Sequence, residues 1–338
     1  MGIEDIAVIG AGSYGTCLAM LFGNAGHRVS LYCRGQDKAT ELETTRVNRQ
    51  YLPAYRLPDT VFVSADLDQV VNGKRFVVGV TPSTAVRETF GAIGTSKALD
   101  PDAIVINASK GLEDGTLQTI DAVYADVLPD RTTRRATYLS GPTFAGEIAA
   151  GQPAAIVLAG RDPDTCTLAQ NALSSIRFRI YTTDDVLGVL VGGSIKNVMA
   201  IAAGLADGLG LGSNARAALI TRGLAEITRI GVAMGAQPVT FAGLSGIGDL
   251  VLTCSGDASR NRRVGLGLGQ GKSMAEILDE MKQVAEGVKT TKVAHELAKK
   301  LGVPAPITDV MHSIIHEGQP ARHAMVALMG RALRSERD

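Results

Sequence analysis

The sequence predicts an α/β protein: a doubly wound, mostly parallel sheet over residues 1–187, followed by an all-helical domain over 188–338. Three observations carry this. Short apolar runs alternate with helical stretches as far as about Asp185. A G-x-G-x-x-G run stands directly behind the first apolar run. Beyond Asp185, long Ala-, Leu- and Gly-rich stretches follow without strand pattern.

The strand candidates are residues 6–9, 27–33, 61–63, 75–80, 103–107, 137–139, 155–158 and, more weakly, 178–181. Separated by helical connections, they read as βαβ units. In the second half, Ala217, Ile220, Leu224, Ile227, Gly231 and Met234 recur at helical spacing. Arg222 and Glu226 stand four apart on another face, placed for an ion pair.

Composition removes several function classes. The 338 residues carry 34 Lys plus Arg against 34 Asp plus Glu, so no basic field exists to hold nucleic acid or an anionic membrane. Aromatics are 4% and Trp is absent, which leaves no stacking platform for single strands. Cys17, Cys33, Cys166 and Cys254 form no metal or disulfide spacing and read as reduced, mostly buried thiols. Residues 1–5 lack a basic leader segment, and Lys196 interrupts the most apolar stretch, Val186 to Ala206. The expectation is a cytoplasmic protein without membrane insertion.

Gly10-Ala11-Gly12-Ser13-Tyr14-Gly15 is the fingerprint of dinucleotide binding. Gly10 permits the tight turn, Gly12 lets backbone approach a pyrophosphate, and Gly15 lets the helix pack on the strand. The end of the second strand reads Tyr32-Cys33-Arg34-Gly35, where NAD enzymes usually carry an acid for the ribose. Arg34 there favours the 2′-phosphate of NADP, with Asp37 a candidate that could still serve NAD. Gly271-Lys272-Ser273 resembles the end of a P-loop, but Leu266 stands where its glycine is required.

Between Val186 and Ala206 the polar side chains are Ser194, Lys196 and Asn197. A helix apolar all round is normally buried, so Lys196 is expected inside with a depressed pKa. Small neighbours (Gly192, Gly193, Ala200, Ala203) would leave room for something large beside it. Hydride delivered to a ketone makes an alkoxide, which a lysine can protonate. Asp249, in the Gly-rich loop Leu244 to Leu250, could orient the ammonium. Ser259-Arg260-Asn261-Arg262-Arg263, read as loop, could clamp a phosphate. Lys110 and the Gly141–Ala145 loop follow the fifth and sixth strands, at the edge where ligands of such sheets gather. His312 and His316 lack a third metal ligand and read as ordinary helix residues; His27, His295 and His323 belong to no constellation.

These residues together resemble the bacterial NAD(P)-dependent glycerol-3-phosphate dehydrogenases. The matching stretches include GAGSYGT (10–16), NRQYLP (48–53), SKGLE (109–113), GPTFAGE (141–147), GLSGIGDLVLTC (243–254), SRNRRVG (259–265) and the long run 192–226. The resemblance implies a Rossmann-type domain with a helical partner, and interconversion of dihydroxyacetone phosphate and sn-glycerol 3-phosphate for phospholipid synthesis. It implies Lys196 as catalytic acid/base and NADPH or NADH as cofactor. It places Ser13, Tyr14, Arg34, Tyr51, Lys110, Ala145, Arg260, Val284 and Glu286 around the cofactor, with Gly10, Gly12 and Gly15 in the turn. Lys110, Gly141, Thr143, Lys196, Asp249, Ser259, Arg260 and Asn261 would surround the substrate, in a protein that is usually a homodimer. The family often has Trp where Tyr14 stands. Alternatives are another two-domain dehydrogenase, acting on a hydroxy acid or sugar phosphate, and a non-catalytic NADP-sensing regulator.

Overall fold

The computed structural model describes residues 2–281, 285–329 and 335. All eight strand candidates form: β1 (Asp5–Ile9), β2 (Arg28–Tyr32), β3 (Val61–Ser64), β4 (Phe76–Gly79), β5 (Ile104–Asn107), β6 (Thr137–Ser140), β7 (Ala154–Gly160) and β8 (Phe178–Thr183). They make one sheet in the order β3-β2-β1-β4-β5-β6-β7-β8. Every pairing is parallel except β6 with β7. Interior strands are almost continuously apolar because helices cover both faces. In β1, Ile6 and Val8 enter one core, Ala7 and Ile9 the other. The edge strands alternate instead: Val61 and Val63 are buried while Phe62 is exposed, and Phe178 and Ile180 are buried while Arg179 and Tyr181 are exposed. That alternation is why the last strand signals weakly in sequence.

Beyond β8, among the described residues, the chain is helical. Asp185 caps the central helix (Val186–Gly208), accepting hydrogen bonds from the amides of Gly188 and Gln237 and the Thr240 hydroxyl. This helix is long and apolar enough to span a bilayer, yet 94% of its most apolar window lies inside the protein. The boundary expected at residue 187 falls in its first turn.

Of the small residues expected to leave room beside Lys196, Gly192 is closed by backbone and Gly193 faces the Ser140 hydroxyl; further along, glycines admit the backbone of another helix. A Cβ on Gly204 would lie 1.9 Å from the Arg262 carbonyl oxygen, and one on Gly265 1.9 Å from that of Ile201. The central helix and the Arg260–Gly269 helix therefore touch backbone to backbone. Gly192 is closed in the same way by the Ser245 carbonyl oxygen, at 2.6 Å from an added Cβ.

Arg222 and Glu226 do not form the expected solvent-face pair. Glu226 is fully buried and accepts from the Ile307 and Thr308 amides (2.9 Å each) and the Thr308 hydroxyl (2.6 Å). It thereby satisfies the N-terminus of the Pro306–His316 helix, a job that needs an acceptor rather than a partner charge. Burial pushes its carboxyl pKa up against those bonds.

Gly204→Ala is expected to lower the unfolding free energy by about 1–3 kcal/mol, the usual cost of overpacking. The measurement is the urea midpoint at unchanged slope. An unaltered midpoint would mean that the two helices part freely.

Candidate active site

The carboxyl edge of the sheet collects the expected loops. Behind β1, Gly10 adopts φ +120° with an added Cβ 3.0 Å from the Val80 carbonyl oxygen, so only glycine turns there without strain. A Cβ on Gly15 would fall 1.8 Å from the Gly10 oxygen, which is the close helix–strand packing expected of the third glycine. At Gly12 nothing lies within 4 Å of an added Cβ, so the turn presents open ground beside the amide groups that start the Ser13–Asn24 helix. The Ser13 hydroxyl donates to the Tyr51 carbonyl oxygen (3.0 Å), bringing two predicted cofactor residues together. Ala145 opens the Ala145–Ala149 helix. Arg34 follows β2, exposed and without an ion pair among the described residues; the strand order puts it across β1 from Lys110 and Gly141. Val284 lies outside the described residues.

Lys196 is 6% exposed. Its ammonium donates to Asp249 Oδ1 (2.5 Å) and to Thr253 Oγ1 (2.7 Å). The other Asp249 oxygen accepts from Lys110 Nζ (2.6 Å), which also donates to the Gly141 carbonyl oxygen (3.0 Å). One carboxylate, 1% exposed, thus holds two lysines from different halves of the chain. Burial pushes the Lys196 ammonium pKa down to about 8, against the pull of Asp249. Burial also pushes the Asp249 carboxyl up, but the charges of Lys110 and Lys196 outweigh it and hold it below its ordinary range.

Asp249 sits not in a plain loop but at the start of the Asp249–Ser255 helix, behind a wide helical turn over Leu244–Gly248 broken at Gly246 (φ −96°, ψ −105°). Thr253, four residues on, shares its helix face, and its hydroxyl donates back to the Asp249 carbonyl oxygen (2.6 Å). The sequence reading passed over Thr253, although that spacing to Asp249 was the available signal.

The basic run is likewise no loop. Ser259 caps the Arg260–Gly269 helix, its hydroxyl accepting from the Arg262 amide (3.2 Å). Arg260 is exposed at the helix start, whereas Arg262 turns away to Asp207 (2.6 Å) and Asp257 (2.8 Å) and is not part of a phosphate clamp. Asn261 ties three helices: its amide nitrogen donates to Asn197 Oδ1 (2.9 Å) and its oxygen accepts from the Gly287 amide (2.9 Å). Glu286 begins the Glu286–Leu301 helix and accepts from the Ser83 amide across the cleft (3.3 Å). Burial pushes its pKa up, against the Ser83 bond and the charges of Arg260, Lys110 and Lys196. Thr143 Oγ1 lies 3.4 Å from the Gly141 oxygen, and Gly141 holds φ +143°.

Two histidine readings change. His295 stacks on His312 (centroids 4.0 Å apart), and His312 meets His316 at 5.1 Å, so these three do form a cluster. No metal-binding group of three or more His, Cys, Asp or Glu occurs among the described residues. The four cysteines are free and buried, and burial raises the thiol pKa of each, to about 12 for Cys17 and Cys254. Ser273 of the rejected P-loop caps a helix together with Glu276.

Comparison with known proteins accounts for nearly the whole chain. Family models for the N-terminus and the C-terminus of NAD-dependent glycerol-3-phosphate dehydrogenase match residues 5–166 and 185–326. The chain belongs to this family. A Geobacter sulfurreducens relative, glycerol-3-phosphate dehydrogenase [NAD(P)+], is 49% identical over 334 residues, covering 99% of each chain. A relative of the same name from Moorella thermoacetica is 45% identical over 97% of this chain and 96% of its own. The crystal structure of glycerol-3-phosphate dehydrogenase from Coxiella burnetii superposes with a TM-score of 0.92 at 38% identity, over 97% of this chain and 99% of that one.

The residues of this dehydrogenase-family chain fit a bound dinucleotide. Besides the open ground at Gly12, buried hydroxyls of Thr81, Ser109 and Ser140 have no hydrogen-bond partner among the described residues, and all three stand at or just beyond the carboxyl ends of β4, β5 and β6; those of Tyr124, Thr137 and Tyr138, away from that edge, are likewise unpartnered. Buried hydroxyls gathered at one edge are groups that a ligand seated there would satisfy.

Asp249→Asn should lower the Lys196 titration midpoint below about 8, because the charge opposing desolvation is lost. Nitrogen-detected NMR of the lysine amines reads this directly. An unmoved midpoint would show that Asp249 does not govern the ammonium.

Proposed function

We propose that the chain reversibly reduces dihydroxyacetone phosphate to sn-glycerol 3-phosphate with NADPH or NADH, as a cytoplasmic homodimer supplying glycerophospholipid synthesis, with Lys196 as proton donor. The observation that carries this is Lys196 itself: a buried ammonium held near neutrality between Asp249 and Thr253. The names of the curated relatives support the substrate and cofactor.

A bound nicotinamide supplies the hydride for the carbonyl carbon. Gly10, Gly12, Ser13, Tyr14, Gly15, Tyr51, Ala145, Val284 and Glu286 would hold the dinucleotide, with Arg34 toward its ribose. Arg260, Ser259 and Asn261, at a helix N-terminus, are suited to the substrate phosphate, where amides and guanidinium both favour an anion. Lys110, Gly141 and Thr143 line the carbonyl side with Asp249. As negative charge develops on the carbonyl oxygen, Lys196 Nζ gives it a proton and becomes a neutral amine. Asp249 and Thr253 keep Nζ in place through the change. In the reverse direction the amine takes the hydroxyl proton. The residue division at 187/188 belongs to the same reading, since each half supplies one lysine to Asp249.

Lys196→Met should lower turnover by about 10² to 10⁴ with cofactor affinity nearly unchanged. In the parent, reduction needs the ammonium and should fall as pH rises through about 8, while oxidation needs the amine and should rise through the same pH. Near-normal turnover in the variant would remove Lys196 from the chemistry; mixing protein, NADPH and dihydroxyacetone phosphate and following nicotinamide absorbance tests the reading as a whole.

The parent should use NADPH better than NADH, and Arg34→Asp should shift the ratio of their kcat/KM values by at least about tenfold toward NADH, because a carboxylate accepts from ribose hydroxyls and repels a 2′-phosphate. Equal use of both by the parent, with no shift in the variant, would return Arg34 to solvent.

A further inference from the structure

A loop over residues 46–57 closes on itself and lies across the glycine turn. Its ends meet at the Val47–Arg56 bridge and through the Leu57 amide, which donates to the Arg46 carbonyl oxygen (2.7 Å). Arg46, in left-handed conformation (φ +60°) and 8% exposed, anchors it by donating to the carbonyl oxygens of Pro58 (2.6 Å) and Val61 (2.5 Å). Within the loop, Asn48 is 9% exposed, and its amide nitrogen donates to the Ala11 carbonyl oxygen (2.9 Å) and to Thr16 Oγ1 (2.7 Å). Both donor hydrogens of one side chain are thus spent on the turn between β1 and the helix that follows it.

We propose that Asn48 is a positioning residue for dinucleotide binding: it orients the Ala11–Gly12 peptide so that the Gly12 amide faces the pyrophosphate. In a trans peptide the carbonyl of one residue and the N–H of the next point in opposite directions. With the Ala11 oxygen bound to the loop, the Gly12 N–H must point away from the loop. At Gly12 nothing lies within 4 Å of an added Cβ, so no side chain or backbone crowds the residue whose amide is set in this way, the open ground that a phosphate needs. Without Asn48 the peptide of a glycine turn is free to rotate, and the amide no longer waits in position. The Thr16 bond fixes the same asparagine to the first helical turn, so that turn and helix start move as one. The bond from the Ser13 hydroxyl to Tyr51 adds a second tack from the same loop.

This inference rests on the proposed cofactor use, and the test separates the two. Fluorescence titration with NADPH and with NADH gives the dissociation constant of each. Asn48→Ala should raise both by roughly tenfold, the loss of one or two buried hydrogen bonds' worth of order. The ratio between the cofactors should stay unchanged, since the turn is common to both and Arg34 is untouched. Turnover at saturating cofactor and the KM for dihydroxyacetone phosphate should stay within about twofold. Thr16→Val, which leaves the Ala11 bond, should raise the constants by a smaller factor and add nothing further in the Asn48→Ala background; it also serves if Asn48→Ala does not fold. Cofactor affinity within twofold of the parent in either folded variant, or a fall in turnover with affinity intact, overturns the proposal. A parent that binds neither cofactor overturns the functional reading instead.

Discussion

The site depends on a single buried carboxylate. Asp249 is almost fully enclosed, and an enclosed charge needs compensation that water cannot give. It finds that compensation in two lysines at once, Lys196 of the central helix and Lys110 beyond β5. The two cations would repel each other without it, and without them desolvation alone would push the carboxyl pKa up. Docking the helical half on the sheet is therefore the same event as bringing both lysines to one carboxylate.

The depressed pKa follows from the same enclosure. A lysine at its ordinary value is a poor proton donor near neutral pH because it gives the proton up reluctantly. Desolvation weakens its hold, and the charge of Asp249 opposes that weakening. Thr253 contributes an uncharged acceptor that fixes the position of the ammonium.

Glycine does the mechanical work around this centre. At the nucleotide turn it permits a backbone angle and an approach that a Cβ forbids. Along the central helix it brings the Arg260–Gly269 helix and the Leu244–Gly248 turn to backbone contact. These approaches bring the helix starts that carry Ser259, Arg260 and Asp249 against the helix that carries Lys196.

The strands, the nucleotide turn, the change to all helix near residue 186 and the buried lysine were all legible in the sequence. Each rests on local pattern: apolar runs of strand length, a fixed glycine spacing, one cation in an apolar helix. The strand over 178–181 was the faintest because one face is open and Arg179, Thr182 and Thr183 are polar. What tertiary structure alone decided is which distant groups meet. Glu226 looked like half of a surface pair, yet it satisfies a helix start 81 positions away. His295 stacks on a histidine from the next helix. Arg260 and Arg262 are neighbours in one basic run, but only the helix that begins there turns one toward the cleft and the other to Asp207. Asn48 and Thr16 bond across 32 positions with no periodicity between them. Periodicity records which face of an element is buried; it holds no information on which partner covers that face, because that is settled by packing among elements whose separation along the chain leaves no repeating mark.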